Sequence, residues 1–265
     1  MYTLRRLKEE VGVIHWVFED TGEDLTEPVP QASKINVHTL IVSDTHLGTS
    51  AFKARAFLAM LNTFWIEKYF ILLGDIFQDN DFKRLSSSHW GVLSHIRKLT
   101  KPGRELDEIW IEGNHDSAVM TSVIGTLLGL DVRREFSWEY QGKKYLAIHG
   151  DIFHFFLSRY PIITKIIILI YTIIQHVDPN NRHIAHHLSD ITSHINGEHK
   201  QVADGAAMYA QSRHMDYVIC GHTHLAMRKQ YGAVEYLNTG CWVKDPCSFV
   251  TIGEAGPILN YVYFK

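Results

Sequence analysis

The stretch VHTLIVSDTHLG, residues 37–48, decides the fold. Its first half runs through Leu40, Ile41 and Val42 without a polar break, and its second half is the cluster Ser43-Asp44-Thr45-His46. Unbroken apolar runs of this length belong to strands buried on both faces. Four further stretches repeat the form: KYFILLGDIF (68–77), DEIWIEGNHD (107–116), KKYLAIHGD (143–151) and MDYVICGHTH (215–224). Helical stretches separate the first three. AFKARAFLAMLNTFWIEK (51–68) is one, and SSSHWGVLSHIRKLTKP (86–102) is the other, opening at a serine cap signal and stopping before Pro102. Strand-helix alternation of this kind predicts a layered α/β fold. After Gly221 the pattern changes to AMRKQYGAVEYLNTGCW (226–242), PCSFVTIGEAG (246–256) and PILNYVYFK (257–265), which reads as a strand meander with glycine turns.

Two segments stand outside this plan. Residues 1–35 end in the proline-containing linker EPVPQAS (27–33) and read as an N-terminal extension without an assigned role, ahead of a domain spanning 36–265. Residues 153–200 form a long insert with helical periodicity. It contains PIITKIIILIYTIIQ (161–175), interrupted by Lys165 and short of the roughly 20 residues a membrane-spanning helix needs.

The 265 residues are enough for one large domain or two small ones, with a sizeable core. With 26 Lys plus Arg against 29 Asp plus Glu, the formal charge of -3 leaves no basic footprint for nucleic acid, which is a poor fit as a partner. The three cysteines, Cys220, Cys241 and Cys247, have no CxxC spacing. That argues against a disulfide framework or a thiolate zinc site and fits a reducing, cytoplasmic compartment. The first 20 residues lack a continuous apolar core, so no secretory signal is expected. Histidine, at 17 copies, is the residue whose placement matters most, because it is both a metal ligand and a group that titrates near neutrality.

In open α/β sheets the loops at the carboxyl ends of the strands gather along one edge and form the ligand crevice. Here those loops carry Asp44 and His46, Asp75, Asn114, His149, and His222 with His224. Asp44 and His46, two apart on an extended segment, are expected to share a face, as are His222 and His224. Seven nitrogen and oxygen donors without a thiolate suit Mn first, with Fe, Zn or Co as alternatives. They exceed what one ion takes up. Two divalent ions roughly 3.5–4 Å apart would use them, in the arrangement that serves phosphoryl chemistry. Taken singly, each Asp or Asn after a strand also reads as an Asx-turn, and a lone His149 as a buried structural histidine.

The blocks SDTHLG, LLGDIF, EGNHD, IHGD and GHTH, in that order over residues 40–224, resemble the calcineurin-like metallophosphoesterase superfamily. The resemblance implies a four-layer α/β/β/α sandwich with a dinuclear centre. One metal would be held by Asp44, His46, Asp75 and His224, the other by Asp75, Asn114, His149 and His222, with Asp75 bridging. It further implies a catalytic His115 that stabilises the transition state or protonates the leaving oxygen, oriented by Asp116, while metal-activated water attacks phosphorus in line. Within the superfamily, HGDIFHFFLSRY (149–160), the return through 203–224 and YLNTGCWV (236–243) are most similar to the UDP-2,3-diacylglucosamine pyrophosphatase branch. There the insert is a helical cap over the metals. By that likeness the substrate is a phosphorylated small molecule or lipid, with peripheral membrane contact through the cap, and Arg159, Lys165 and Arg182 are candidates for its phosphate or sugar. One departure is clear: that branch carries arginine after the block's Asn, where this chain has His115. Two other readings stay open, a soluble-substrate phosphatase or phosphodiesterase and a catalytically silent partner-binding scaffold. The sequence leaves oligomeric state undecided.

Overall fold

In the computed structural model of the protein, residues 2–20, 33–99, 105–153 and 198–264 are described. The cap candidates Arg159, Lys165 and Arg182, the apolar stretch 161–175 and most of the 27–33 linker lie outside them. In chain order the strands are β1 (Tyr2–Glu10), β2 (Val13–Asp20), β3 (Ile35–Val42), β4 (Phe64–Leu73), β5 (Asp107–Ile111), β6 (Asp131–Arg133), β7 (Glu135–Tyr140), β8 (Lys143–Ile148), β9 (Tyr217–Cys220), β10 (Met227–Tyr231), β11 (Val234–Asn238), β12 (Cys247–Gly253) and β13 (Gly256–Phe264). The helices are α1 (Ala54–Thr63), α2 (Ser87–Leu99), α3 (Ala118–Leu128) and α4 (Glu198–Ser212).

Eight strands form one sheet in the order β1-β2-β13-β12-β3-β4-β5-β6, and five form a second, β10-β11-β9-β8-β7. Three apolar clusters separate the layers. On β3, Leu40 and Val42 join the cluster shared with α1 and α2, while Ile41 between them joins the cluster between the sheets. On β8, Leu146 and Ile148 face α4 with Val202, Ala203 and Ala206, while Tyr145 and Ala147 face the first sheet. Each central strand therefore buries both faces, which is why its sequence lacks polar alternation. The result is the four-layer α/β/β/α sandwich.

Three boundaries depart from expectation. The helix expected over 51–68 ends at Thr63, and β4 begins at the next residue with Phe64 opposite Ile35. Phe64 and Ile66 are buried at a spacing of two, and packing along β3 overrides helical periodicity there. The stretch after Gly221 is not one meander, because β10 and β11 complete the second sheet while β12 and β13 return to the first. The chain crosses between sheets through residues 239–246. Finally, residues 198–200, placed in the insert by the sequence, begin α4, which packs on β9 and β11.

Residues 2–20 of the N-terminal extension acquire a place as well. β1 and β2 form an antiparallel hairpin, and β2 lies parallel to β13 from Val13 opposite Leu259 to Phe18 opposite Phe264. Trp16 is buried edge-on to Phe64 and donates from Nε1 to Asn260 Oδ1 at 2.9 Å. Among the described residues, no helix is long and apolar enough to cross a membrane.

Replacing this anchor tests whether the hairpin belongs to the folding unit. Trp16→Ala should lower unfolding stability by about 3–5 kcal/mol in urea titrations, the usual cost of emptying a large buried aromatic site. A loss below about 1 kcal/mol would mean that residues 2–20 merely lean on the sheet.

Candidate metal centre

The parallel pairs β3-β4-β5 and β8-β9 bring five strand ends to one edge of the sandwich. Loop hydrogen bonds then lock neighbouring ends in register. The Asp44 amide donates to Gly74 O at 3.0 Å and the His46 amide to Asp75 O at 3.1 Å. On the second sheet the Gly221 amide donates to His149 O at 3.0 Å.

The backbone at the ligand positions is unusual. Asp44, His46, Asp75, His222 and His224 all take positive φ, between 45° and 69°. A non-glycine residue there costs of order 1–3 kcal/mol, and such residues persist only where the surroundings enforce them. This corrects the reason given for pairing Asp44 with His46 and His222 with His224. Those segments are not extended; successive left-handed turns bring the side chains together. Close approach also requires glycine at two places. A Cβ on Gly221 would stand 2.5 Å from Asp44 Oδ2, and one on Gly113 would stand 2.3 Å from Asp75 Oδ1.

The side chains gather into two main groups. Ligand atoms of Asp44, His46 and His224 lie within 4.8 Å of one another, as do those of Asp75, His149 and His222. His46, Asp75 and His115 form a third such set, which joins the other two. His224 Nε2 stands 3.1 Å from both Asp44 Oδ1 and His46 Nε2. Asn114 Oδ1 stands 2.9 Å from His222 Nδ1, so the amide oxygen belongs to the second group. His149 donates from Nδ1 to Leu73 O at 2.9 Å, which turns Nε2 toward Asp75 Oδ2 at 3.4 Å. A backbone acceptor on the outer nitrogen is the usual way a ligating imidazole is fixed.

The electrostatics fit divalent cations. Asp44 and Asp75 are 0% and 2% exposed, and their ion-pair partners among the described residues are histidines. Burial disfavours charge on His149, but its bond to Asp75 and the nearby Asp44 charge outweigh this and push it up to about 10. His224 is also pushed up to about 10, by its bond to Asp44 first and by Cys241 second. Burial works against ionisation of Asp75 too, yet His149 and the His115 amide hold it well below the usual carboxylate range. His46 and His222 go the other way, lowered chiefly by burial. His46 Nδ1 is buried without a hydrogen bond, and the buried Asp44 Oδ1 and His149 Nε2 meet only the ion-pair contacts with His224 and Asp75. Buried carboxylates and orphaned lone pairs of this kind are what a hard or borderline cation satisfies.

The loop of residues 113–117 divides its labour differently from expectation. The His115 amide donates to Asp75 Oδ1 at 2.8 Å, and its ring Nδ1 lies 3.0 Å from the Gln78 carbonyl. Asp116 does not orient it. Both Asp116 oxygens are engaged elsewhere: Oδ1 accepts from the Ile76 and Phe77 amides, and Oδ2 from the Gly113 amide and Trp110 Nε1. The expected orienting role of Asp116 is therefore corrected. This carboxylate ties the Asp75 loop to the Asn114 loop, and the orienting acceptor is the Gln78 backbone. A main-chain carbonyl leaves no signature in residue type, so nothing in the sequence marks Gln78. Burial pushes the Asp116 carboxyl up to about 6, against the pull of the Gly113 amide.

A model of the calcineurin-like phosphoesterase family matches residues 37–226. The chain belongs to this family. It is accordingly a metal-dependent phosphoester hydrolase, and the converging donors are the part of it that fits the metal. Similar solved structures include YfcE, a phosphoesterase from E. coli, at 15% identity and TM-score 0.44 over 82% of this chain and 88% of that one. An archaeal phosphodiesterase is 14% identical, with TM-score 0.44 over 84% and 98%. Vps29 from Entamoeba histolytica in complex with zinc is 16% identical, with TM-score 0.41 over 84% and 97%. No curated protein matches the chain.

Since Asp116 binds four donors, Asp116→Asn must turn an amide NH₂ against N–H groups. Chemical denaturation should show a loss of about 1–3 kcal/mol, the cost of leaving buried groups unsatisfied. Unchanged stability would show that these bonds carry no weight.

Proposed function

We propose that this phosphoesterase hydrolyses a phosphate ester or pyrophosphate bond in an amphiphilic substrate, in the manner of the UDP-2,3-diacylglucosamine pyrophosphatases. The convergence of the two ligand groups on the Asp75 loop carries the hydrolytic part of this reading. Asp44, His46, Asp75 and His224 would hold one divalent ion, and Asp75, Asn114, His149 and His222 the other. Bound there, the ions would supply activated water and an electrophilic clamp on the phosphoryl oxygens. His115, anchored through Nδ1, presents Nε2 to the same space. It can stabilise charge developing on phosphoryl oxygen or deliver a proton to the leaving group.

The substrate class rests on apolar surface beside the ligands. Val119 is 76% exposed four residues after His115, and Ile152 and Leu225, each 47% exposed, follow His149 by three residues and His224 by one. Exposed large aliphatic side chains close in sequence to the ligand positions suit a ligand with a phosphorylated head and a lipid tail. The sequence likeness over 149–160 and 236–243 supports the same class. The partner-binding scaffold finds less support, because every ligand position carries a donor and the donors converge.

Metal analysis after Mn loading should return two ions per chain, with Asp75→Ala losing both. His115→Ala should keep its ions while kcat on an aryl phosphodiester falls by about 10²–10⁴-fold, the range for a positioned acid-base group. An unchanged kcat would remove His115 from the chemistry. In a substrate panel, UDP-2,3-diacylglucosamine should give a higher kcat/KM than either its deacylated counterpart or a soluble aryl monoester. Preference for the soluble compounds would overturn the amphiphilic reading and leave hydrolysis standing.

A further inference from the structure

The end of β11 and the segment after it pack against the ligand-bearing loops. The Trp242 amide donates to Asp44 O at 3.1 Å, and Thr239 Oγ1 lies 2.6 Å from Ser43 Oγ, which itself donates to Asp44 Oδ2. Asn238, the last residue of β11, touches the loop of residues 221–224. Its side chain is wholly buried, and its Nδ2 lies 2.7 Å from Gly221 O, 3.2 Å from Thr223 Oγ1 and 3.0 Å from Tyr236 Oη. Its Oδ1 accepts from the Gly240 amide at 2.9 Å.

We propose that Asn238 is a positioning residue for the metal centre, whose carboxamide clamps Gly221 and Thr223 and so delivers His222 to one ligand group and His224 to the other. The inference rests on the metal reading above. Its physical basis is the loop's backbone. His222 and His224 both have positive φ, and Thr223 between them donates its amide to Gly221 O at 2.8 Å in a tight turn. Neither histidine favours that conformation alone. The turn is held from below by donors on a side chain that cannot itself reach solvent. If the donors are lost, Thr223 Oγ1 loses its carboxamide partner, Gly221 O keeps only the Thr223 amide, and the loop can relax toward ordinary φ. That rotates both imidazoles away from Asn114 and Asp44.

Asn238→Asp keeps the shape and the acceptor and removes the donors. Mn(II) titration calorimetry on the full chain should show affinity weakened by about 10–100-fold, the range for residues that hold ligands in place. Saturating Mn should recover most of kcat, so the defect appears as a raised metal requirement. Trp16→Ala, which destabilises the sheet edge, is the reference and should keep wild-type Mn affinity. Thr223→Val removes one of the clamped atoms and should weaken Mn binding in the same direction by about 10-fold, the mild end of that range. Wild-type affinity in folded Asn238→Asp overturns the clamp, and so does an equal loss in Trp16→Ala. If Asn238→Asp does not fold, Thr223→Val decides, and unchanged affinity there overturns the proposal. A wild-type chain that binds no Mn would sink the metal reading itself, whereas normal wild-type binding with unaffected variants sinks the clamp alone.

Discussion

Two carboxylates, Asp44 and Asp75, are withdrawn from water at the edge of a sandwich whose interior is largely apolar. An isolated buried carboxylate is costly, and the surroundings of this pair supply imidazoles rather than lysine or arginine. Much else in the molecule follows from that demand for compensating charge. The strands must end together so that histidines from the second sheet reach carboxylates of the first. Their loops must turn through left-handed backbone to point the side chains inward, and glycines must stand where those side chains come close. Five strained positions gathered at one edge mark a site whose geometry is kept for chemistry, since the same residues would relax if folding alone selected them.

The parts legible in the sequence share a physical cause. Strands β3, β4, β5, β8 and β9 are buried on both faces, so each reads as a continuous apolar run closed by a polar cluster. The start of β4 was hidden, because Phe64 and Ile66 continue a pattern that α1 also satisfies and only pairing with β3 separates the two. β1 and β2 were hidden for the opposite reason. β1 is an outer strand bearing Arg5, Arg6, Lys8, Glu9 and Glu10, and charge on an exposed edge prevents association while erasing the strand's apolar signature.

The site shows the same division. All seven ligand candidates were recognisable by residue type and order, because donor chemistry is written in side chains. The means of holding them was not. The backbone turns at Asp44 and His222 occur at residues that carry no glycine signal, the Gln78 acceptor is a carbonyl, and the Asp116 carboxylate looks catalytic by position while its bonds make it a tie between two loops. Residue type reveals which groups could react, and only the hydrogen-bond inventory shows which are occupied.

Ligand supply also differs between the two sheets, and this has a thermodynamic consequence. The first sheet provides Asp44, His46, Asp75 and Asn114, and the second provides His149, His222 and His224. Any ion held by a mixed set therefore joins the sheets at the edge where the apolar cluster between them ends. Binding energy of this kind is available only to the folded chain. At an ion concentration 1,000 times Kd it would add about 4 kcal/mol to stability. That is comparable to a large share of a domain's net stability. A metal bound here would thus act as a staple between the sheets as well as a catalytic device, and the charge that makes the pocket costly when empty is what would make the staple strong when filled.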